Sequence, residues 1–124
     1  MINTYIPYLK KKDEQVLKKC IETNYVSTAG PLVSKFEERF KSEYKFKHAI
    51  ALNSGTSALH IGLKAIGVKK GDTVIMPSYS FAATANSIIY NNAKPWFFDC
   101  DKDFNLSIEN IEKVLKKKTY KKKK

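Results

Sequence analysis

The chain has 124 residues, of which 43% are hydrophobic and 28% charged, so it is long enough for one domain with a modest core. Its net charge of +11 invites a nucleic-acid or membrane function, but seven lysines lie in the last nine residues. Residues 1–115 therefore carry only +4, from 16 basic against 12 acidic side chains. We predict one domain over residues 1–115, followed by a disordered, lysine-rich tail over residues 116–124.

Two features of the composition argue against secretion and against membrane insertion. The N terminus has no apolar segment of the signal-peptide kind, and the uncharged residues 73–93 are too polar for a membrane span. Cys20 and Cys100 lie far apart and form no CxxC pair, which favours free, buried thiols in a reducing compartment. We therefore expect a cytoplasmic protein.

The first part of the chain predicts two helices. Apolar residues at helical spacing predict a helix over residues 13–23, and a loop follows over residues 24–30. A second helix begins at Gly30-Pro31, because proline suits the first helical position. The apolar stripe of this helix consists of Leu32, Val33, Phe36 and Phe40.

Three strand–helix units then follow one another. The predicted strands cover residues 48–53, 72–77 and 95–99, and the predicted helices cover residues 56–66, 80–93 and a stretch beginning after the N-cap Ser107. Gly67 is placed to end the first of these helices, and Leu106 and Ile111 are spaced as a hydrophobic staple for the last. This order predicts an α/β fold with a mostly parallel sheet.

The stretch "LNSGTSALH" (residues 52–60) joins the first of these strands to its helix. Gly55 can let the chain turn tightly, and the free amides of the helix N terminus, with the hydroxyls of Thr56 and Ser57, can bind an anion such as phosphate. The alternative is a plain helix start, capped by Ser54 or Thr56, with nothing bound. The stretch is neither a Walker loop nor a G-x-G-x-x-G motif, so the residues alone leave both readings open.

The second strand–helix junction, "MPSYSFAATAN" (residues 76–86), carries an aromatic residue. Strand ends of a parallel sheet face one edge, which would bring Phe81 near the phosphate turn as a flat surface beside a ring. The alternative, more frequent for a phenylalanine, is that Phe81 packs in the core.

Metal chemistry finds no support in the sequence. Asp99, Asp101 and Asp103 begin like a calcium loop, but the glycine and the final glutamate that such a loop needs are replaced by Phe104 and Asn110, so a solvated turn is expected instead. His48 and His60 have no second ligand at metal spacing, and His60 reads as a packed helix residue. We therefore predict no metal site and no hydrolytic triad.

The order of these motifs closely resembles the N-terminal part of the DegT–DnrJ–StrS sugar aminotransferases, which are pyridoxal-phosphate enzymes of fold type I, the aspartate-aminotransferase fold. The resemblance covers residues 6–115 and rests on "NYVSTAGPLVSKFEERF", on the segment from "HAIALNSGTSALH" to "PWFFDCD", and on "NLSIENIEKVL". The loop "NYVSTAG" is similar to the W-V-S-S-x-G of the branch that makes legionaminic-type and perosamine-type sugars. The implied fold is an incomplete N-terminal part of the large α/β/α sandwich domain.

The resemblance also implies a function and a set of site residues. Family members exchange an amino group between glutamate and a nucleotide-linked keto sugar, for cell-surface polysaccharides and amino sugars, and act as homodimers. It implies that Gly55, Thr56 and Ser57 hold the phosphate of pyridoxal 5′-phosphate and that Phe81 stacks on its ring. Near the sugar-nucleotide pocket it places Tyr25, Ser27 and Gly30.

The residues that such an enzyme needs for catalysis are not found here. In the family, an aspartate that pairs with the pyridine nitrogen and the lysine that anchors the cofactor come after the matching segment, and no lysine here sits in that motif. We therefore assign no catalytic residue, expect no covalent cofactor and no aminotransferase activity in this chain alone, and expect open edges on the strand over residues 48–53. A truncated or interrupted gene is our hypothesis, and reading the downstream DNA in all frames tests it.

Two other functions remain open. The chain could be a small, non-catalytic α/β protein that binds an anion or assembles with a complementary fragment. It could also bind nucleic acid through its basic tail, although only Tyr120 interleaves with the basic residues there. Salt-dependent DNA binding that is lost on deletion of residues 116–124 would support this last function.

Overall fold

A computed structural model describes residues 5–27 and 30–121. The chain divides into two compact units, one over residues 1–51 and the other over residues 52–124. Each unit is described by itself. The assignment of residues 1–115 to one aminotransferase domain remains a prediction.

The first unit contains two helices, α1 (Lys11–Glu22) and α2 (Pro31–Tyr44). Asp13 fixes the start of α1, since its Oδ2 accepts a hydrogen bond from the Lys10 N–H at 2.8 Å. Proline occupies the first position of α2, as predicted, and Lys45 ends this helix in the left-handed region. Neither helix contains a buried residue, so little apolar surface holds this unit together.

The second unit contains the predicted α/β arrangement. Its elements are α3 (Gly55–Ala65), β1 (Thr73–Pro77), α4 (Ala82–Tyr90), β2 (Lys94–Phe98) and α5 (Ile108–Lys121). β1 and β2 pair in parallel, with Thr73 opposite Lys94 and Pro77 opposite Phe98, and α4 forms the crossover between them. α4 packs on both strands, and α3 packs on α4.

The core of this unit lies between α4 and the sheet. Met76, Ile88 and Ala93 are buried together, and partly buried side chains pack on them from α3, β1, α4 and the turn after α3, namely Leu63, Val68, Val74 and Ala85. The buried side chain of Asn91 joins α3 to α4, because its Nδ2 donates to the carbonyls of His60 (3.1 Å) and Ser87 (2.9 Å). The chain leaves α3 through Gly67, whose φ of 91° suits glycine.

The strand predicted over residues 48–53 is wrong for the structure as described. No strand forms there among the described residues, and Ile50 is 79% exposed. The Ala51 N–H donates instead to Glu37 Oε1 at 2.8 Å. A strand needs neighbours for its backbone hydrogen bonds, and the described part of the chain supplies none to this segment.

Part of the lysine-rich tail is helical in the structure, and disorder of the tail as a whole stays a prediction. α5 continues to Lys121, so residues 116–121 are helical, while residues 122–124 lie outside the described part of the chain. Lysine is a good helix former, and the ion pairs Glu109–Lys113 and Glu112–Lys116 link successive turns. The regular spacing of apolar residues along α5 ends before the helix itself ends.

Candidate cofactor-phosphate site

The N terminus of α3 is built from small and hydroxyl-bearing residues. Ser54 is the N-cap, and its Oγ accepts a hydrogen bond from the Ser57 N–H at 3.1 Å. The Ser54 hydroxyl also donates to Ser57 Oγ at 3.0 Å. This satisfies one of the amides that a helix start leaves without an intrahelical partner.

Two amides at this helix start remain available. The structure records no acceptor within the described residues for the N–H groups of Gly55 and Thr56, which precede the first α-helical donor, Ala58. Gly55 and Ser54 are exposed, and the Thr56 side chain is half-buried beside them. Two amides and a hydroxyl group can therefore reach one anion placed at the end of the helix.

The reason for the glycine differs from the prediction. Gly55 does not make a tight turn, because it is the first residue of α3 and its φ is not positive. Apart from its chain neighbours and the backbone of its own helix, a Cβ added to Gly55 would have no heavy atom of the described residues within 4 Å. Packing within the chain does not require glycine here, whereas the close approach of a ligand to the backbone would.

The electrostatics of α3 favour an external anion. Its first turn carries no acidic side chain, so the partial positive charge of the helix N terminus is not offset within the helix. α4 likewise has no acidic residue in its first turn, whereas Glu109 occupies the first turn of α5. Two helix starts of the second unit thus suit an anion, and α3 adds the hydroxyl groups.

Phe81 occupies the start of α4, immediately after the loop that leaves β1. It is the N-cap residue, and its carbonyl accepts the first turn's hydrogen bond from the Thr84 N–H at 3.0 Å. The alternative that this phenylalanine packs in the core is wrong, because its side chain is 84% exposed. The ring is thus exposed beyond the carboxyl end of a parallel strand, and ligands of α/β sheets bind at that edge.

The residues predicted near a sugar-nucleotide pocket lie in the first unit. The structure brings Tyr25 and Gly30 together, since a Cβ on Gly30 would stand 3.1 Å from Tyr25 Cβ and Cδ1. Gly30 has a φ of 152°, so both its conformation and this contact require glycine. Ser27 is exposed between them, and Thr28 and Ala29 lie outside the described residues. Substrate binding by these three residues remains a prediction.

Among the described residues, no group of three or more His, Cys, Asp or Glu side chains could hold a metal ion, and the absence of a metal site stays a prediction. Asp101 Oδ1 accepts the amides of Asp103 and Asn105, each at 2.9 Å, which makes the expected turn. The His60 ring packs edge-on against Tyr90 at 5.7 Å, as expected of a packed helix residue.

No helix within the described residues is both long and apolar enough to cross a bilayer.

Sequence reasoning missed one aromatic contact near Phe81. The rings of Tyr79 and Phe104 lie 4.9 Å apart, and they belong to the loops that follow β1 and β2. The available signal was the aromatic residue in the midst of "DKDFN", a stretch otherwise typical of a solvated turn. In the sequence, this phenylalanine indicated only that the stretch is not a calcium loop.

The start of α3 offers donors of the kind that bind a phosphate, and Phe81 offers an exposed aromatic ring. The open end of α3 would hold the phosphate through the amides of Gly55 and Thr56 and the Thr56 hydroxyl, and the exposed Phe81 would offer a flat apolar surface.

Solved structures similar to this one include an aminotransferase and a protein with a bound PMP cofactor. An aminotransferase from Psychrobacter cryohalolentis matches with a TM-score of 0.77 and 29% identity, over 88% of this chain and 28% of that one. NtdA from Bacillus subtilis, solved with bound cofactor PMP, matches with a TM-score of 0.75 and 29% identity, over 91% of this chain and 28% of that one. The predicted fold, a partial α/β domain of fold type I, is confirmed.

Curated relatives point the same way. The GDP-perosamine synthase of Vibrio cholerae is 34% identical over 96% of this chain and 33% of its own length. That of Caulobacter vibrioides is 37% identical over 95% of this chain and 32% of its own length. The chain thus spans about a third of the length of these relatives. The model of the DegT/DnrJ/EryC1/StrS aminotransferase family matches residues 7–123, and the chain belongs to this family.

Proposed function

We propose that this chain is the N-terminal, phosphate-binding part of a pyridoxal-phosphate-dependent aminotransferase that transfers an amino group from glutamate to a nucleotide-linked keto sugar. The observation that carries the proposal is the N terminus of α3, where the amides of Gly55 and Thr56 have no acceptor among the described residues and the Thr56 hydroxyl belongs to the same first turn. The names of the GDP-perosamine synthases support the sugar substrate.

Each residue has a definite task in this proposal. Pyridoxal phosphate, when bound, supplies the electron sink that lets an amino group leave one carbon skeleton and join another. The Gly55 and Thr56 amides donate to its phosphate, and the hydroxyls of Thr56 and Ser57 add donors at the same helix end. Phe81 covers one face of the ring and keeps water from it.

We further propose that the chain alone does not transfer amino groups. Our assignment of the anchoring lysine and the pyridine-pairing aspartate to a later segment of the family, together with relatives about three times as long, supports this. Without a positioned lysine, no group holds the cofactor covalently or moves the proton between the reacting carbon atoms. A nucleotide sugar, glutamate, a homodimer and a cytoplasmic location belong to the proposed full-length enzyme.

A second candidate is a catalytically inactive protein that binds an anion or completes itself with another fragment. Its support is the number of large apolar side chains left in water by the described residues, of which Ile50 (79% exposed), Ile66 (78%) and Leu9 (74%) are examples. Such surface is typical of a polypeptide whose packing partner lies elsewhere. This candidate predicts phosphate binding with no preference for a ligand that carries a pyridine ring.

Binding of pyridoxamine 5′-phosphate separates the two candidates. This probe lacks an aldehyde, so it cannot form imines with the many lysines, and its affinity is compared with that of inorganic phosphate by titration. Our proposal predicts tighter binding of the pyridoxamine compound than of inorganic phosphate. Gly55→Ala should weaken the binding of both ligands. It should not lower thermal stability, because the new Cβ has open space around it. Equal affinity for the two ligands would favour the second candidate.

Borohydride reduction in the presence of pyridoxal 5′-phosphate tests the missing anchor. We expect scattered labelling of tail lysines, or none, when the modified peptides are mapped by mass spectrometry. One lysine labelled stoichiometrically, together with measurable transamination, would contradict the proposal that the chain is inactive alone.

A further inference from the structure

The loop between β2 and α5 has an unusual backbone conformation. Phe104 has a φ of 61°, in the left-handed region that a bulky residue rarely adopts. The Asp101 carboxylate closes the loop over the amides of Asp103 and Asn105, the Asp101 N–H donates to the Asn105 carbonyl at 2.8 Å, and the Phe104 N–H donates to the Asp101 carbonyl at 3.1 Å. The loop thus imposes on a phenylalanine a conformation that glycine would adopt at lower cost.

The side chain of Phe104 contacts a residue of a different loop. Its ring centroid lies 4.9 Å from that of Tyr79, with the two planes at 38°. Tyr79 follows β1 and Phe104 follows β2, so the contact links two loops at the carboxyl edge of the parallel sheet. Tyr79 is 70% and Phe104 64% exposed, so the contact does not serve burial.

The loop that carries Tyr79 leads directly to Phe81. Each of the three residues before Phe81 has a contact that holds it. The Ser78 N–H donates to the Phe98 carbonyl at 2.8 Å, and the ring of Tyr79 contacts that of Phe104. Ser80 Oγ and Thr84 Oγ1 share a hydrogen bond of 2.8 Å. Phe81 itself is 84% exposed. Its backbone is held from the following side by α4, whose Thr84 N–H donates to its carbonyl at 3.0 Å, and from the preceding side by these three residues.

We propose that Phe104 is a positioning residue, which fixes the β1–α4 loop through Tyr79 so that the Phe81 ring faces the cofactor ring. The inference rests on the proposed function, since it assumes that Phe81 stacks on the pyridine ring. It explains why the loop after β2 keeps a phenylalanine in a backbone conformation that favours glycine. Phe104 acts through Tyr79 and need not contact the cofactor.

Replacing Phe104 by glycine separates positioning from folding. Phe104→Gly removes the ring and relieves the left-handed backbone, so the melting temperature of the full chain should not fall. We expect the affinity for pyridoxamine 5′-phosphate to fall about three- to tenfold, the worth of an aromatic pair, while that for inorganic phosphate stays unchanged. A merely structural role would lower both affinities together, and that result, or no change in either, would overturn the inference.

Three further variants complete the test. Phe104→Tyr keeps a ring and should retain the affinity for pyridoxamine 5′-phosphate. Phe97→Leu changes another exposed aromatic residue of the same unit and should leave this affinity unchanged. Phe81→Ala separates the stacking role of Phe81 from the positioning role of Phe104. If Phe81→Ala has no effect on pyridoxamine 5′-phosphate binding, the stacking role fails and this inference with it. If Phe81→Ala weakens binding and Phe104→Gly does not, only this inference fails.

Discussion

The start of α3 and the start of α5 have the same cap and different first turns. Ser54 and Ser107 each accept a hydrogen bond from the amide three residues later, at 3.1 and 3.3 Å. α5 then continues with Glu109, whose carboxylate meets the positive end of its own helix, whereas α3 continues with Gly55 and Thr56. The serine cap is therefore common to both helix starts, and the acid in the first turn is what distinguishes them.

The largest expected effect concerns what holds α3 in place. Ile88 is 1% exposed and contacts the core that α3 shares with α4, while Ile89 beside it is 51% exposed. Ile88→Ala should cost about 3 kcal/mol of unfolding free energy, measured by urea denaturation, and Ile89→Ala far less. Amide exchange should accelerate in α3 more than in α5, since the described core cluster draws side chains from α3 and none from α5. Equal losses from the two variants would contradict this account of the core.

Giving α3 the acid that α5 already has should remove its anion site. Thr56→Glu places a carboxylate at the helix position that Glu109 occupies in α5. We expect the affinity for pyridoxamine 5′-phosphate to fall at least about a hundredfold, because a donor is lost and a like charge is gained, while helix stability rises by about 0.5 kcal/mol. Thr56→Gln is the neutral control and should lose less. Unchanged binding in Thr56→Glu would place the anion elsewhere.

Removing the cap should affect stability without affecting the ligand. Ser54→Ala deletes the acceptor of the Ser57 N–H and should cost about 1 kcal/mol, as should Ser107→Ala at the other helix. The freed Ser57 amide becomes a third donor, so we expect the affinity of α3 for phosphate to hold or to rise. A loss of affinity in Ser54→Ala comparable to that in Thr56→Glu would mean that the hydroxyl of Ser54 binds the anion.

The smallest effect is a pH dependence confined to α5. The hydrogen bond and the charge of Lys113 lower the pKa of Glu109, so the ion pair stabilises α5 at neutral pH and this contribution is lost as the pH falls through the lowered pKa. Protection of the α5 amides from exchange, taken relative to the intrinsic exchange rate at each pH, should therefore fall in acid, below the usual glutamate pKa of about 4.3, and Glu109→Gln should weaken that pH dependence. The first turn of α3 has no acid and should not respond. A response of α3 in the same pH range would contradict the comparison.

Local patterns predicted most of the elements because those elements are stabilised locally. The helix starts at Pro31 and after Ser107, and the strands at residues 73–77 and 94–98, follow from caps and from apolar runs with a pairing partner. The segment over residues 48–53 has the same apolar pattern without a partner, and no strand forms. A pattern identifies a strand-competent segment, whereas pairing requires a second segment.

The candidate site was predicted to a similar extent. The amides and hydroxyls of α3 and the location of Phe81 between β1 and α4 followed from chain order, because helix starts and strand ends have known chemistry, while the nearness of Phe81 to the start of α3 stays a prediction. The helical conformation of Gly55 and the Tyr79–Phe104 contact did not, because each depends on the exact path of a loop. The exposure of Phe81 likewise came only from the structure.

Backbone amide NMR of the full chain during titration with pyridoxamine 5′-phosphate tests the central claim most directly. The account predicts that the ¹⁵N–¹H signals of Gly55 and Thr56 move most, because their N–H groups have no acceptor within the described residues and donate to the phosphate on binding. Signals at the start of α5 should stay in place. Shifts confined to the lysine-rich residues 116–121, with Gly55 and Thr56 unmoved, would show that the chain attracts the anion through its net charge and would contradict a built phosphate site.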